Sequence, residues 1–201
     1  MRTRRLGRQD GFSLIDMLGA ILLIGIISAM ALPATGSSLA AHRFRGDGQS
    51  VSNLLALAKM RGAARFSRAR LFANLGNNSY VMQTWDKTAG TWVDDGGVMQ
   101  LSRGVAFGFG PIATPPPNTQ EEIAQSPECR DDDDAIILNT ACIVFNSRGV
   151  PIDAAGAPIG GNAVYLTDGV GVYAITVTAT PLIRMWWTAN RGATPAWVDQ
   201  Q

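Results

Sequence analysis

Residues 17–41 of this 201-residue chain carry no charged side chain, and this run limits the possible folds more than any other feature. About 20 apolar residues in a helix are enough to cross the ~30 Å hydrocarbon core of a bilayer. Four arginines precede the run, Arg2, Arg4, Arg5 and Arg8. Because basic residues favour the cytoplasmic side, the sequence predicts a single membrane pass with a cytoplasmic N-terminus and the rest of the chain outside.

A secretory signal peptide is the alternative interpretation of the same run. Its cut would follow Ala31 in the small-residue stretch Ala29-Met30-Ala31 and would release a secreted binding module. Asp16 argues against this alternative, because a carboxylate at the edge of the membrane core is costly unless it is neutralised. A cut after Gly11 would supply a partner, since it frees a positive amine at Phe12, four residues from Asp16.

The residues around this aspartate, Gly11-Phe12-Ser13-Leu14-Ile15-Asp16-Met17-Leu18, closely resemble the processing motif of type IV prepilins and type II secretion pseudopilins. The resemblance implies that a prepilin peptidase cuts between Gly11 and Phe12 and methylates the new N-terminus. It also implies assembly roles for Asp16, matching the acidic residue thought to pair with a neighbour's amine, and for Pro33, matching a helix-kinking proline. Most members have glutamate at the acidic position, so the shorter Asp16 has less reach.

Beyond Pro33 the sequence stays compatible with a helix to about Arg70. Apolar residues recur there at spacings of three, four and seven, which is typical of an amphipathic helix. They are Phe44, Val51, Leu55, Ala58, Gly62, Phe66 and Ala69. Arg61, Arg65 and Arg68 would share one helical face, which is interpreted either as a contact to phosphates or an acidic neighbour, or as a solvated face.

After residue 76 the composition favours short strands separated by turns. Residues 80–85 and 91–93 are predicted to form a hairpin, and further strands are expected at 98–101, 105–109, 135–138, 142–145, 163–166, 171–180 and 182–187. This order resembles the GspH/FimT branch of the pilin-like proteins, in which the helix is followed by a two-sheet domain.

The predicted fold class is therefore α+β, with a long N-terminal pilin-type helix, transmembrane in its first half, followed by a β-rich two-sheet globular head. We divide the chain into a leader peptide (1–11), a transmembrane assembly helix (12–41), an amphipathic helix packing on the head (42–75) and a periplasmic head (76–201).

The inventory of reactive side chains argues against an enzyme and against a bound metal or cofactor. The chain has one histidine, His42, and two cysteines, Cys129 and Cys142, too few for a zinc site of His and Cys ligands. A catalytic triad would depend on His42, which follows the apolar run. The cysteines are expected either to form a disulfide, as an oxidising periplasm would allow, or to stay as two buried thiols.

Four consecutive aspartates, residues 131–134, lie between the cysteines. Calcium prefers six to eight oxygen ligands, but no Asp-x-Asp-x-Asp-Gly loop is present, so we expect a solvated acidic loop.

The near-zero net charge of +1 hides two opposite halves. Residues 1–70 hold eleven basic and three acidic side chains, whereas residues 71–201 hold six and thirteen, giving +8 and −7. Some FimT-like proteins bind DNA through a basic C-terminal segment, where this chain has Arg184 and, further on, Arg191, beside Trp186 and Trp187. The negative half would repel DNA, so DNA binding is not the leading interpretation.

The function expected from the resemblance is that of a minor pseudopilin of a type II secretion system, a structural subunit of a periplasmic filament anchored in the inner membrane. A type IV pilus minor pilin for assembly, adhesion or DNA uptake is the alternative within the family. The implied partners are the prepilin peptidase, other pilins or pseudopilins, the inner membrane and secreted cargo.

Overall fold

The computed structural model describes residues 13–189 and 195–200, without the side chains of residues 29–37. The chain divides into two compact units, one ending at His42 and one beginning at Arg43. A single helix, α1 (Leu14–Ala64), supplies residues to both units. It continues through Pro33 without interruption, although proline lacks the backbone donor that a helix interior uses.

In the first unit, the described side chains of α1 are exposed over residues 13–28. We expected residues 12–41 to form a membrane-spanning helix. Among the residues that the structure describes, no helix has both the length and the apolarity needed to cross a membrane.

The second unit contains thirteen described strands arranged in antiparallel sheets, which confirms the α+β class. The first sheet has the order β3-β2-β1-β8-β9, with β4 also paired to β2, the second has the order β13-β12-β11-β10-β5, and β6 and β7 form a ribbon. The strands are β1 (Ala69–Asn74), β2 (Ser79–Asp86), β3 (Thr91–Asp94), β4 (Met99–Gln100), β5 (Ala106–Phe107), β6 (Cys129–Arg130), β7 (Ile136–Ile137), β8 (Thr140–Phe145), β9 (Pro151–Ile152), β10 (Asn162–Thr167), β11 (Gly171–Val177), β12 (Ile183–Ala189) and β13 (Val198–Asp199).

The main core joins one face of α1 to both large sheets. Phe44, Val51, Leu55 and Ala58 are buried on the helix, as their spacing predicts, in one cluster with residues of β1, β2, β8, β10 and β11. Gly48 allows this close approach, since a Cβ there would lie 3.3 Å from both Tyr173 and Met185.

The second sheet is covered on its other face as well. A smaller cluster of Ile112, Ala163, Tyr165, Val172, Ala174 and Trp186 packs against Phe109, Ile123 and Trp197. Every residue of β11 is therefore buried. The sequence of a strand that is buried on both faces is a nearly continuous apolar run.

The predicted hairpin is confirmed, because β2 and β3 pair with Trp85 opposite Trp92. The predicted end of the helix was wrong. The helix ends at Ala64, and Ala69–Asn74 is β1, which lies between β2 and β8 in the first sheet. Arg61, Arg65 and Arg68 consequently do not share a helical face, and Arg61 and Arg65 both pair with Asp95, at 3.4 and 3.2 Å.

The helix ends in a Schellman motif, which explains why it stops at Ala64. Ser67 N–H donates to the Gly62 carbonyl and Phe66 N–H to the Ala63 carbonyl, the two bonds that define this cap. The motif needs a left-handed residue, usually glycine, and here Phe66 takes that conformation with φ of 50°. The Phe66 side chain is 74% exposed, so little burial offsets the strain.

We predict that Phe66→Gly raises the free energy of unfolding by about 1 kcal/mol, because glycine adopts the left-handed conformation without the cost that an L-side chain carries. Phe66→Ala is the matched control: it removes the ring and keeps the strain, so its stability should stay near that of the parent. Urea unfolding of the three proteins measures the difference, and a Phe66→Gly protein less stable than Phe66→Ala would contradict the prediction.

Candidate functional site

The start of α1 is fixed by a reciprocal cap between Ser13 and Asp16. Ser13 Oγ accepts a hydrogen bond from the Ile15 N–H at 3.2 Å, and Asp16 Oδ2 accepts one from the Ser13 N–H at 3.3 Å. This is a capping box, in which two donors at the helix start are satisfied together. Asp16 therefore has a local role in the isolated chain, in addition to the assembly role that the resemblance implies.

Gly11 and Phe12, the predicted processing residues, lie outside the described residues, as does the side chain of Pro33. The capping residue Ser13 directly follows them in the chain, so two residues, Phe12 and Ser13, separate the predicted cut from the helix start at Leu14.

The described side chains of the first unit expose an apolar surface. Its described large hydrophobic residues are between 52% and 78% exposed, namely Leu14, Ile15, Met17, Leu18, Ile21, Leu22, Leu23, Ile24, Ile26, Ile27 and Leu39. These positions surround the helix instead of forming one stripe. A contiguous apolar surface of this kind is typical of a segment that is covered by a partner or by lipid.

The structure joins Cys129 and Cys142 in a disulfide, with a Cα–Cα distance of 4.9 Å. This bond attaches the β6-β7 ribbon to β8 of the first sheet. The acidic loop between β6 and β7 closes on itself, since Asp131 Oδ1 accepts hydrogen bonds from the N–H groups of Asp133 and Ala135. Among the described residues, no group of three His, Cys, Asp or Glu side chains is arranged to hold a metal ion.

A row of alternating cationic and aromatic side chains lies on the face of the first sheet that points away from the main core. The Arg70 guanidinium carbon lies 3.9 Å from the Trp92 ring centroid and 5.5 Å from that of Phe72. The Arg68 carbon lies 4.4 Å from the Trp85 centroid and 5.5 Å from that of Trp92. We call these five side chains the cation–aromatic ladder.

Arg70 is the buried member of the ladder, with 3% of its surface exposed. It donates to Gln83 Oε1 at 2.8 Å and to the Arg130 carbonyl at 2.5 Å, so it ties the first sheet to the disulfide ribbon. Burial lowers the pKa of its guanidinium to about 10, and the nearby negative charge of Asp132 opposes this shift. The side chain therefore stays charged at neutral pH.

Asp132 makes a further link between the acidic loop and the sheet. Its Oδ1 accepts a hydrogen bond from the Trp92 N–H at 2.7 Å. Trp92 lies in β3, which ends the first sheet. Since an edge strand leaves backbone groups unpaired, the aspartate covers part of this edge.

Beside the ladder lies a cavity of about 730 Å³. Its wall combines ladder residues with the disulfide ribbon and with the turn after β9. Its lining includes five apolar residues, namely Pro127, Ile136, Val144, Ile152 and Ile159, and five carboxylates, namely Glu128, Asp131, Asp132, Asp134 and Asp153. The cavity can hold an apolar group with cationic neighbours.

The residues considered for nucleic-acid contact do not form a basic site in the described part of the chain. Arg184 lies 3.7 Å from Asp199. Trp186 is buried, and its indole N–H donates to Thr176, so its ring is not free to stack on a base. Arg191 lies outside the described residues.

The sequence reasoning missed the ladder and its cavity because it placed Arg68 and Arg70 on a helix. The alternation Arg68, Arg70, Phe72 with Ala69, Leu71, Ala73 between them is a period-two pattern, which indicates a strand with one buried face. That signal was present in the sequence, next to the predicted hairpin that carries Trp85 and Trp92.

No protein-family model matches this sequence, and no curated protein matches it either. Among solved structures, the chain is similar to the minor pseudopilin EpsH from the type 2 secretion system of Vibrio cholerae. The two share 10% sequence identity with a TM-score of 0.37, over 78% of this chain and 97% of that chain. A likeness this weak carries no argument about the function of this chain.

We predict that Arg70→Ala lowers the free energy of unfolding by about 3 kcal/mol, because it leaves two half-buried acceptors unpaired and opens a cavity at a buried side chain. Arg68→Ala is the matched control. It removes an exposed cation from the same ladder and should cost less than about 1 kcal/mol. Urea unfolding measures both values, and equal losses would show that burial of Arg70 does not matter.

Proposed function

We propose that this protein is a minor pseudopilin of a type II secretion system, a structural subunit that acts by assembly into a periplasmic filament. The observation that carries the proposal is the capped helix start at Ser13 and Asp16, immediately after the Gly11-Phe12 motif and before an exposed apolar helix. The antiparallel sheets after the helix agree with the head that a GspH/FimT-type subunit would have.

The exposed apolar surface supports assembly as the mechanism. Burial of apolar area is the main driving force for association, and the side chains of residues 14–27 contribute such area all around the helix. In a filament, helices of neighbouring subunits would cover this surface, and Asp16 would meet the Phe12 amine of a neighbour.

The proposed location is the inner membrane, with the head in the periplasm. The uncharged run of residues 17–41 and the four arginines before it support this orientation. The disulfide between Cys129 and Cys142 agrees with an oxidising compartment for the head. We propose prepilin peptidase, other pseudopilins and secreted cargo as partners, and no catalytic activity or cofactor.

The acidic second half favours secretion over DNA uptake. Residues 71–201 carry a formal charge of −7, and Arg184 already has Asp199 as its neighbour. Since nucleic-acid binding depends on clustered cations that neutralise phosphates, the head lacks the electrostatics that uptake of DNA would use.

Mass spectrometry of the mature protein tests the proposal. We expect a chain that begins at N-methylated Phe12, because the peptidase would cut after Gly11. A Gly11→Leu variant, which should stay at full length, is the control for the cut. A mature chain that begins at Leu32 would show a conventional signal peptide and would overturn the proposal.

Asp16→Ala and Ser13→Ala separate the assembly role of the carboxylate from its capping role. Both variants lose one bond of the capping box, with a similar cost to the helix of about 1 kcal/mol. Only Asp16→Ala removes the charge that would meet a neighbour's amine. We expect it alone to lose incorporation into sheared filaments, and equal loss in both variants would assign the effect to the cap.

A further inference from the structure

Phe66 lies in a conformation and an environment that folding alone does not favour. Its backbone has a φ of 50° at a cap position that suits glycine, and its ring is 74% exposed. A single exposed apolar side chain is ordinary on a protein surface. An exposed aromatic ring on a strained backbone is less ordinary. Residues in a conformation that does not suit their type are concentrated at functional positions.

Two cationic side chains lie near the backbone of Phe66. The Lys87 ammonium donates to the Phe66 carbonyl, which fixes the cap from the side of the β2-β3 hairpin. Arg65, the residue before Phe66, is held by Asp95 and donates to Thr84 Oγ1 at 3.2 Å. These contacts restrict the backbone at Phe66, so little conformational freedom would be lost when the ring binds a partner.

The cavity beside the cation–aromatic ladder has the complementary properties. Ile136 lines it with 56% of its surface exposed, and Val144, Ile152 and Ile159 line it as well. Five carboxylates line it against three cations, Arg68, Arg70 and Arg130, and Arg130 is already paired with Asp134 at 3.1 Å. The cavity thus offers apolar contact to a ring and an excess of negative charge to cations beside that ring.

We propose that Phe66 of one copy docks into the ladder cavity of a second copy, with Arg65 and Lys87 facing its carboxylates. Phe66 and the cavity lie on different surfaces of the same chain. A contact between two such surfaces of identical subunits builds closed pairs, rings or filaments. The inference rests on the proposed function, because a filament brings subunits together, and it adds that two copies of this minor subunit lie side by side.

Site-specific photo-cross-linking tests the contact directly. Benzoylphenylalanine replaces Phe66 in the purified full-length chain, the sample is irradiated, and cross-linked peptides are identified by mass spectrometry. We expect covalent dimers in which residue 66 is joined to a peptide that lines the cavity, either within residues 127–162 or containing Trp85 or Trp92. Absence of dimers, or a cross-link to any other part of the chain, would overturn the proposal.

Two substitutions at Phe66 separate docking from folding. Phe66→Ala and Phe66→Gly should each weaken self-association by about tenfold, the effect of removing an aromatic anchor from an interface, although Phe66→Gly is the more stable fold. Sedimentation over a range of concentrations, in a detergent that covers the apolar side chains of residues 14–27, measures this change. Unchanged association in both variants would show that the ring makes no contact.

Glu128→Lys tests the charge complementarity, with Glu122→Lys as its matched control. Both glutamates are exposed, but only Glu128 lines the cavity. We expect Glu128→Lys to lower the yield of dimers several-fold and Glu122→Lys to leave it unchanged, and equal effects would overturn the choice of a second copy as the occupant.

A mature chain that begins at Phe12 but gives no cross-link would remove this inference and leave the proposed function standing.

Discussion

The helix α1 has two apolar surfaces, and each of them must be shielded from water in a different way. From Phe44 to Ala58 the helix buries a single face between the two large sheets, so this part is complete within the chain. From Leu14 to Ile27 its large apolar side chains are exposed, so this part needs cover from outside the chain. The free energy gained by burying apolar area is therefore available to folding in the second unit and to association in the first.

The first sheet shows a similar division between its two faces. Leu71, Ile143 and Phe145 point into the main core, and the alternate positions Arg70 and Val144 point to the ladder side. A cation in a strand interior is stable there because aromatic rings lie against it and neutral acceptors bind its N–H groups. The same arrangement fixes the disulfide ribbon, so the shape of the cavity depends on Arg70.

The parts of the fold that the sequence predicted are those with a clear period or a turn signal. The hairpin that contains Trp85 and Trp92 was predicted from apolar residues that alternate with polar ones. The buried helix face of Phe44, Val51 and Leu55 was predicted from apolar residues spaced three to four apart. The helix end was missed because Phe66 occupies a position where glycine is the usual signal. The strand after it was missed for a second reason, because Ala69 and Arg70 are good helix formers.

The candidate site was harder to predict than the fold, because its residues are far apart in the chain. Arg70, Trp92 and Asp132 come together only through the pairing of β1 with β2 and β8 and through the disulfide. Each residue alone has an ordinary interpretation as a surface charge or an aromatic of a hairpin. The terminal motif at Gly11 and Phe12, by contrast, is contiguous, so it could be recognised without any knowledge of the fold.

The capping box at Ser13 and Asp16 has an electrostatic consequence for a processed chain. A cut after Gly11 would place a positive amine at Phe12, one residue before the cap, where the partial positive charge of the helix dipole already lies. Like charges would then meet at the first turn and weaken the helix start. The Asp16 carboxylate offsets both of them from within the same chain, so its charge is useful to a mature subunit even before a neighbour arrives.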